Sequence, residues 1–219
     1  MVRCLNDRIA EGGKDALSVD DCLAARRCYY DQLDIRTTNA AAAAFIDKMP
    51  IRSAYAGFLK RIFPDKRYVF SIRHPYDVVL SCFKTPISTN MAMEHFKLFG
   101  DACALYDHVM AKWFAHFPHS DDGTDEHVCP VRYDVLVQDF ESEMLRVLAF
   151  LGVGWHDRVA YFATEAEKRK VRTPSYKKVR QGLAIGVQSS WQDYRFLFET
   201  PAASVLHPWV ERFGYEGLR

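Results

Sequence analysis

The sequence predicts an α/β protein in which a parallel sheet is flanked by helices. Short apolar segments alternate along the chain with longer segments of helical periodicity. The clearest short segment, Tyr68–Ile72, is rich in β-branched and aromatic residues, and it leads through Arg73 into a helix that begins at Pro75. The length of 219 residues accommodates a single domain with a substantial core, so we expect one domain over 1–219.

The first part of the chain is predicted to hold one short strand between two helices. Residues 1–20 are polar and are expected to form a loosely structured lead, whereas 20–32 have helical spacing. The apolar run Ala44–Ile46 is compatible with a buried strand. Pro50 then opens a predicted helix over 51–63. The expected apolar face of that helix consists of Ile51, Tyr55, Phe58, Leu59 and Ile62.

The rest of the chain continues the alternation. After the strand at Tyr68–Ile72, a helix is expected through Val78, Val79 and Cys82. A long helical segment is expected at 90–117, with Leu98, Leu105, Val109 and Trp113 on one side. It is followed by a strand around 128–133 and by helices near 139–151 and 156–168. The total of three credible strands is small for a parallel sheet.

Composition and charge argue against several classes of protein. The chain is 49% hydrophobic and 26% charged, as is typical of a packed globular protein. Its net charge of +1 gives no global attraction for nucleic acid, so an anion site would need local positive charge. No apolar run approaches the roughly 20 residues that cross a bilayer, and the first residues lack the apolar centre of a secretory signal. We therefore expect a cytoplasmic protein with no membrane span.

Metal and hydrolase motifs are not found. The six cysteines are scattered without a CxxC pair, which disfavours zinc and redox sites and favours reduced thiols. His116 and His119 lie near a predicted helix end with no third ligand close in sequence, so we expect no metal. The sequence contains no GxSxG, Walker A or GxGxxG pattern.

Arg73 is the first candidate for ligand binding. It follows a buried strand and precedes a helix, and ligands of parallel α/β sheets gather at this end of the strands. Its planar guanidinium suits phosphate. The alternative is a structural ion pair with Asp77, one turn along the helix.

A basic segment at 168–180 holds seven basic residues in thirteen, interleaved with Thr173, Ser175 and Tyr176. Pro174 prevents an uninterrupted helix, so a loop that presents several donors is plausible. Three interpretations stay open at this point: a cover over a polyanionic ligand, a solvated basic strip, and a contact to nucleic acid.

Several segments resemble, in order, the PAPS-dependent sulfotransferases, and most closely the bacterial and tyrosylprotein-sulfotransferase-like branch. The resemblance covers 21–219 and implies a P-loop NTPase-like α/β fold without metal. The blocks are Asp47–Pro50, Tyr68–Ile72, Arg73–Ser81, Val131–Val137, Phe150–Val153, Val171–Ser175, Val179–Gln181 and Trp191–Tyr194.

The resemblance implies roles for seven residues. Arg73 and Ser81 match the pair that holds the 3′-phosphate of PAPS or of its product adenosine 3′,5′-bisphosphate. Lys48 matches the catalytic lysine beside the phosphosulfate, and Ser175 matches a serine near the bridging oxygen. Tyr133 matches a tyrosine near the adenine. The last two, Arg180 and Trp191, fall in the region that closes over the nucleotide.

The sequence also departs from the family pattern. The family places a loop of the type P-x-S/R-S-G-T-T/S on the 5′-phosphosulfate before the lysine block, and no such loop precedes Lys48. Ser190 precedes Trp191 where the family usually has Lys or Arg. We therefore expect an N-terminally incomplete domain, lacking the first strand and this loop, with impaired sulfuryl transfer to a hydroxyl or amine acceptor. The alternative is a non-catalytic remnant that binds a nucleotide or a partner. No motif indicates the acceptor or the oligomeric state.

Overall fold

A computed structural model describes residues 17–32, 45–48, 50–85, 91–167 and 190–218. Within these residues, two short parallel strands are surrounded by helices, in agreement with the predicted α/β class. The strands are β1 (Tyr68–Ile72) and β2 (Val128–Arg132). The helices before β2 are α1 (Val19–Asp31), α2 (Ala56–Ile62), α3 (Pro75–Lys84), α4 (Met91–Glu94) and α5 (Phe99–Phe114). Those after β2 are α6 (Tyr133–Gln138), α7 (Phe140–Leu151), α8 (Phe162–Glu167), α9 (Arg195–Phe198) and α10 (His207–Arg212).

Short 3₁₀ helices connect several of these elements. Five lie in the described residues: Pro50–Tyr55, His95–Lys97, Asp157–Val159, Ser190–Tyr194 and Pro201–Leu206.

Helix starts and stops mostly follow their sequence signals. Ser18 and Asp21 form a capping box at the start of α1, which confirms the helix predicted at 20–32. Pro75 occupies the first turn of α3. Gly152 ends α7 in the left-handed conformation, with φ of 72°, as a C-terminal glycine commonly does.

The predicted strand at Ala44–Ile46 is wrong in its described part. Residues 45–48 form no strand, and the side chains of Phe45 and Ile46 are 53% and 75% exposed. Ala44 lies outside the described residues. An apolar run of three residues carries too little pattern to separate a strand from an irregular segment.

Two predicted helix faces are also corrected. Tyr55 is exposed, whereas Ala56 and Gly57 are the buried residues of α2. A Cβ on Gly57 would lie 2.4 Å from the His116 ring, so the small residue permits a close approach of α2 to the end of α5. The helix predicted over 90–117 is interrupted at Leu98, whose extended backbone precedes α5 and whose side chain is 64% exposed.

The sheet organises two parts of the core. From β1, Phe70 and Ile72 pack against α5, and the Phe70 ring stacks on Trp113 with centroids 4.8 Å apart. From β2, Cys129 and Val131 point to the other face and pack against Val147 of α7. The alternation of side chains along β2 thus directs Val128 to one helical layer and Cys129 and Val131 to the other.

A third part of the core lies behind α3. Tyr76 and Leu80 are almost fully buried there, together with the carboxyl-terminal residues Trp191, Phe198 and Leu206. The contact fixes the last elements of the chain against the helix that follows β1, where the candidate site is located.

Candidate functional site

The register of the two strands brings Arg73 and Tyr133 together. Ile72 of β1 pairs with Arg132 of β2, and Arg73 and Tyr133 are the residues that directly follow these two strands. Because the strands are parallel, both residues emerge at the same edge of the sheet. The Arg73 guanidinium carbon lies 5.3 Å from the centre of the Tyr133 ring, within the range of a cation–π contact.

Arg73 also faces a buried carboxylate. Its Nη2 lies 3.8 Å from Oδ2 of Asp77, one turn along α3, while the Arg73 side chain keeps 30% of its surface exposed. The ion pair predicted as the structural alternative is therefore present. It does not remove Arg73 from solvent, so a ligand can still approach this residue.

The start of α3 adds to the local positive potential. His74 Nδ1 accepts a hydrogen bond of 3.2 Å from the Tyr76 N–H, and α3 then runs for ten residues. The N-terminus of such a helix favours anions. Ser81 lies on α3 one turn beyond Asp77 and is half-buried, so Asp77 and Ser81 share a face of the helix. The Ser81 carbonyl accepts a 2.6 Å hydrogen bond from Thr85 Oγ1.

Asp77 joins this edge to the segment that begins at Ser190. Its Oδ1 accepts hydrogen bonds from Ser190 Oγ at 3.0 Å and from the Trp191 N–H at 3.1 Å. The Trp191 side chain is 5% exposed and lies in the core, with its ring 5.0 Å from that of Tyr76. The structure thus places the backbone of Trp191 beside the Arg73–Asp77 pair and its indole behind α3.

The last residues of the chain pack behind the same edge and form a brace, which consists of Arg132, Asp134, Phe213 and Tyr215. Tyr215 OH donates a 2.7 Å hydrogen bond to Asp134 Oδ1, and Arg132 donates a 2.6 Å bond to the Phe213 carbonyl. The Arg132 guanidinium lies 4.5 Å from the centre of the Tyr215 ring.

His74 connects this brace to α3. Since Nδ1 accepts from Tyr76, the ring proton of neutral His74 lies on Nε2, which donates to the Glu216 carbonyl at 2.9 Å. Burial lowers the pKa of His74, and its bond to Glu216 and the charge of Asp77 only partly oppose that shift. The neutral imidazole is therefore the form that the folded structure favours.

Lys48 lies in a different setting from Arg73. It is exposed, in the irregular segment 45–48. Its neighbour Asp47 accepts a 2.7 Å hydrogen bond from Tyr29 OH of α1 and pairs with Arg52. The described contacts of this segment are thus with α1 and the turn before α2.

Two predicted site residues, Ser175 and Arg180, lie outside the described residues, as does the basic segment 168–180. The three interpretations of that segment therefore stay predictions.

Metal ligands do not cluster in the part of the chain that the structure describes. Over those ranges, no group of three or more His, Cys, Asp or Glu side chains could hold a metal ion. His119 Nδ1 instead lies 3.2 Å from Asp122 Oδ2.

Five described cysteines are free thiols. Burial raises the pKa of Cys82, and the nearby charge of Arg73 partly offsets this rise. In the same ranges, every helix is too short or too polar to cross a membrane.

Comparison with known proteins decides the family. A family model described as the sulfotransferase family matches residues 6–157, which is more than half of the chain and includes the whole edge from Arg73 to Tyr133. The chain belongs to the sulfotransferase family. This confirms the family predicted from the sequence.

A relative in Aquifex aeolicus (strain VF5) gives a second comparison. The two sequences are 28% identical over 170 residues, and the relative is named only as an uncharacterized protein. The aligned part covers 74% of this chain but 20% of the relative, so the sulfotransferase chain spans about one fifth of that protein's length.

Four of the seven residues singled out by resemblance lie inside the range that the family model matches: Lys48, Arg73, Ser81 and Tyr133. The structure unites Arg73 with Tyr133 at the edge of the sheet and places Ser81 on α3. Sequence reasoning missed the hydrogen bonds that Ser190 and Trp191 donate to Asp77. The only available signal was Asp77 itself, an acidic residue in the first turn of a helix, which ordinarily indicates no more than a favourable helix dipole.

Proposed function

We propose that this sulfotransferase binds PAPS and transfers its sulfuryl group to a hydroxyl or amine acceptor, on a P-loop NTPase-like scaffold. PAPS, as the donor, supplies an activated sulfuryl group on a phosphosulfate. The proposal is carried by one observation. Arg73 follows the carboxyl end of β1, precedes a ten-residue helix and is partly exposed, in a chain that belongs to the sulfotransferase family.

The residues fit the phosphate end of such a donor. A planar guanidinium forms paired hydrogen bonds with phosphate, and a serine hydroxyl on the adjoining helix adds another donor. We therefore assign the 3′-phosphate to Arg73 and Ser81. Tyr133, beside Arg73, is proposed to flank the adenine, and Trp191 and Arg180 to belong to the cover of the nucleotide.

Lys48 and Ser175 are proposed to act at the opposite end of the donor. In an in-line transfer, negative charge develops on the oxygen that leaves the sulfuryl group, and a nearby ammonium or hydroxyl stabilises it. Lys48 is exposed and therefore accessible to a ligand. As the acceptor oxygen or nitrogen bonds to sulfur, the S–O bond of the phosphosulfate breaks, adenosine 3′,5′-bisphosphate leaves, and the proton of the acceptor passes to solvent.

We expect weak binding and slow transfer by this chain, because its sequence holds no match to the 5′-phosphosulfate loop before Lys48. One structural observation favours the alternative of a non-catalytic nucleotide-binding domain. At Ser190, where a cation is usual in the family, a hydroxyl donates to the Asp77 carboxylate.

Calorimetry with adenosine 3′,5′-bisphosphate tests the nucleotide site. Arg73→Ala removes charge-assisted hydrogen bonds that are each worth about 1.5–3 kcal/mol, so we expect affinity to fall by about 10- to 100-fold. The matched control is Arg158→Ala, which removes an exposed arginine paired with Glu165 at 2.5 Å. Equal affinities of wild type and Arg73→Ala would overturn the assignment.

A transfer assay separates the two functions. Labelled PAPS and a panel of alcohols, phenols and amines are incubated with the chain. Sulfated product that disappears in Lys48→Ala supports the transferase. Nucleotide binding without product from any acceptor supports the non-catalytic alternative.

A further inference from the structure

Asp77 is a charged residue with no exposed surface, located next to the proposed phosphate-binding arginine. Burying a carboxylate is costly unless hydrogen bonds and an opposite charge compensate for the lost hydration. Asp77 has both: Oδ1 accepts two hydrogen bonds from the Ser190–Trp191 segment, and Oδ2 faces Arg73 at 3.8 Å. A single carboxylate therefore connects two parts of the chain that are more than one hundred residues apart.

We infer that Asp77 is a positioning residue, which orients Arg73 toward the 3′-phosphate and fixes the Ser190–Tyr194 turn to the same point. The inference rests on the proposed function and adds to it a residue that does not itself touch the ligand.

The distances suit a positioning role. Hydrogen bonds between charged nitrogen and oxygen are about 2.7–2.9 Å long, so 3.8 Å is a charge attraction without a short bond. Arg73 can then turn toward an incoming phosphate without breaking a hydrogen bond to Asp77. The Tyr133 ring lies 5.3 Å from the guanidinium carbon, so a carboxylate and an aromatic ring both restrict the guanidinium.

Restricting Arg73 before binding raises affinity. A long side chain that is ordered only on binding loses rotamer freedom at that step, and this loss reduces affinity by about 3- to 10-fold. In the folded protein, Asp77 and Tyr133 already impose part of that order. The inference therefore predicts an effect on ligands that carry the 3′-phosphate and little effect on ligands that lack it.

The same carboxylate links affinity to the Ser190–Tyr194 turn. If Ser190 stops donating to Oδ1, the carboxylate loses one of the two hydrogen bonds that hold it, and its second oxygen is less fixed relative to Arg73. A substitution of Ser190 should therefore change the affinity for a ligand that carries the 3′-phosphate.

The test compares two ligands, adenosine 3′,5′-bisphosphate and adenosine 5′-monophosphate, by calorimetry or by competition. The dissociation constant of the monophosphate divided by that of the bisphosphate gives a ratio that reports the contribution of the 3′-phosphate alone. Asp77→Asn keeps an oxygen for Ser190 and Trp191 but removes the charge opposite Arg73. We expect this ratio to fall by about 3- to 10-fold, with the monophosphate affinity within about twofold of wild type.

Glu143→Gln is the matched control. Glu143 is 9% exposed, lies on a helix and pairs with its own arginine, Arg146, at 2.7 Å. The control thus removes the charge of a buried, arginine-paired acid that lies on α7 instead of α3. Its ratio should equal that of wild type.

A milder pair of variants covers the case in which Asp77→Asn does not fold, as judged by circular dichroism. Ser190→Ala removes the hydroxyl that donates to Asp77 and should lower the ratio by about threefold, since hydrogen bonds to charged groups are the stronger ones. Ser190→Thr retains a hydroxyl and should restore the wild-type ratio.

The outcomes separate the inference from the proposed function. An unchanged or increased ratio in Asp77→Asn, or equal ratios in the three Ser190 forms, overturns the positioning role alone. A wild-type chain that does not prefer the bisphosphate overturns the proposed nucleotide site and the inference with it.

Discussion

Three tyrosine hydroxyls of this chain differ in their surroundings, and the differences predict opposite effects of the same chemical change. Tyr215 OH donates a hydrogen bond of 2.7 Å to Asp134 in the partly buried brace behind the site. Tyr194 OH accepts a hydrogen bond of 2.8 Å from Lys84 at an exposed position. Tyr68 OH is buried without a hydrogen-bond partner among the described residues. Replacing each tyrosine by phenylalanine removes one oxygen and keeps the ring.

The magnitudes follow from these partners. Tyr215→Phe removes a hydrogen bond to a charged acceptor, whereas Asp134 keeps the 3.3 Å hydrogen bond that Arg132 donates to it. We therefore expect a loss of about 1.5–2 kcal/mol in the free energy of unfolding. Tyr194→Phe removes an exposed bond, and we expect a change below about 0.5 kcal/mol.

Tyr68→Phe should stabilise the protein. The ring lies 5.0 Å from that of Phe117 and 6.0 Å from that of Trp113, in apolar surroundings that suit phenylalanine. Burial raises the pKa of Tyr68 to about 12 and leaves its hydroxyl desolvated. Removing the hydroxyl should therefore raise the free energy of unfolding by about 0.5–1 kcal/mol.

Urea unfolding, followed by tryptophan fluorescence, measures all three variants. The difference of about 2–3 kcal/mol between Tyr215→Phe and Tyr68→Phe corresponds to about 5–10 °C in melting temperature for a chain of this size. The slope of the unfolding transition should be unchanged, which would show that the denatured state is unaffected. If Tyr68→Phe loses as much stability as Tyr215→Phe, the reasoning from hydrogen-bond partners is refuted.

Two further predictions concern buried polar groups. Because burial lowers the pKa of His74 below its ordinary 6.5, the unfolded chain binds a proton at a higher pH than the folded one, so stability should fall as pH decreases from 6.5 toward the folded pKa. Urea unfolding between pH 7 and 5 should show this decline in wild type and a smaller one in His74→Gln; equal slopes would contradict it. Ser120→Ala leaves the buried Trp113 Nε1–H without its 2.7 Å acceptor and should cost about 1–3 kcal/mol, whereas Ser204→Ala, at an exposed serine, should cost less than about 0.5 kcal/mol. Similar losses in these two serine variants would show that burial is not the cause.

Local signals predicted the elements that position the site. Tyr68–Ile72 is a strand because β-branched and aromatic residues follow one another, and Pro75 begins the next helix where its missing N–H is harmless. The position of Arg73 between them made it a candidate for phosphate binding, with an ion pair to Asp77 as the alternative, and the family resemblance favoured the first. The family match then confirmed the class of protein that the motif order had indicated.

What the sequence could not provide were properties that arise only when segments meet. The pairing of Ile72 with Arg132 depends on how two strands 60 residues apart align, and that register determines the contact between Arg73 and Tyr133. The strand expected at Ala44–Ile46 failed for a related reason. A short apolar run becomes a strand only if a neighbour covers it, and Ile46 is exposed in the structure.

The departure at Ser190 gains a different meaning from the structure. From sequence alone, a serine in place of the usual cation indicates a weaker cover over the 3′-phosphate. In the structure, this hydroxyl donates to Asp77, and a lysine or arginine at the same point would add a positive charge that competes with Arg73 for that carboxylate. Among the residues that the structure describes, Asp77 therefore pairs with one arginine, Arg73. We expect this serine both to remove one proposed phosphate contact and to fix the position of another, and the ratio of bisphosphate to monophosphate affinity measures the balance of the two effects.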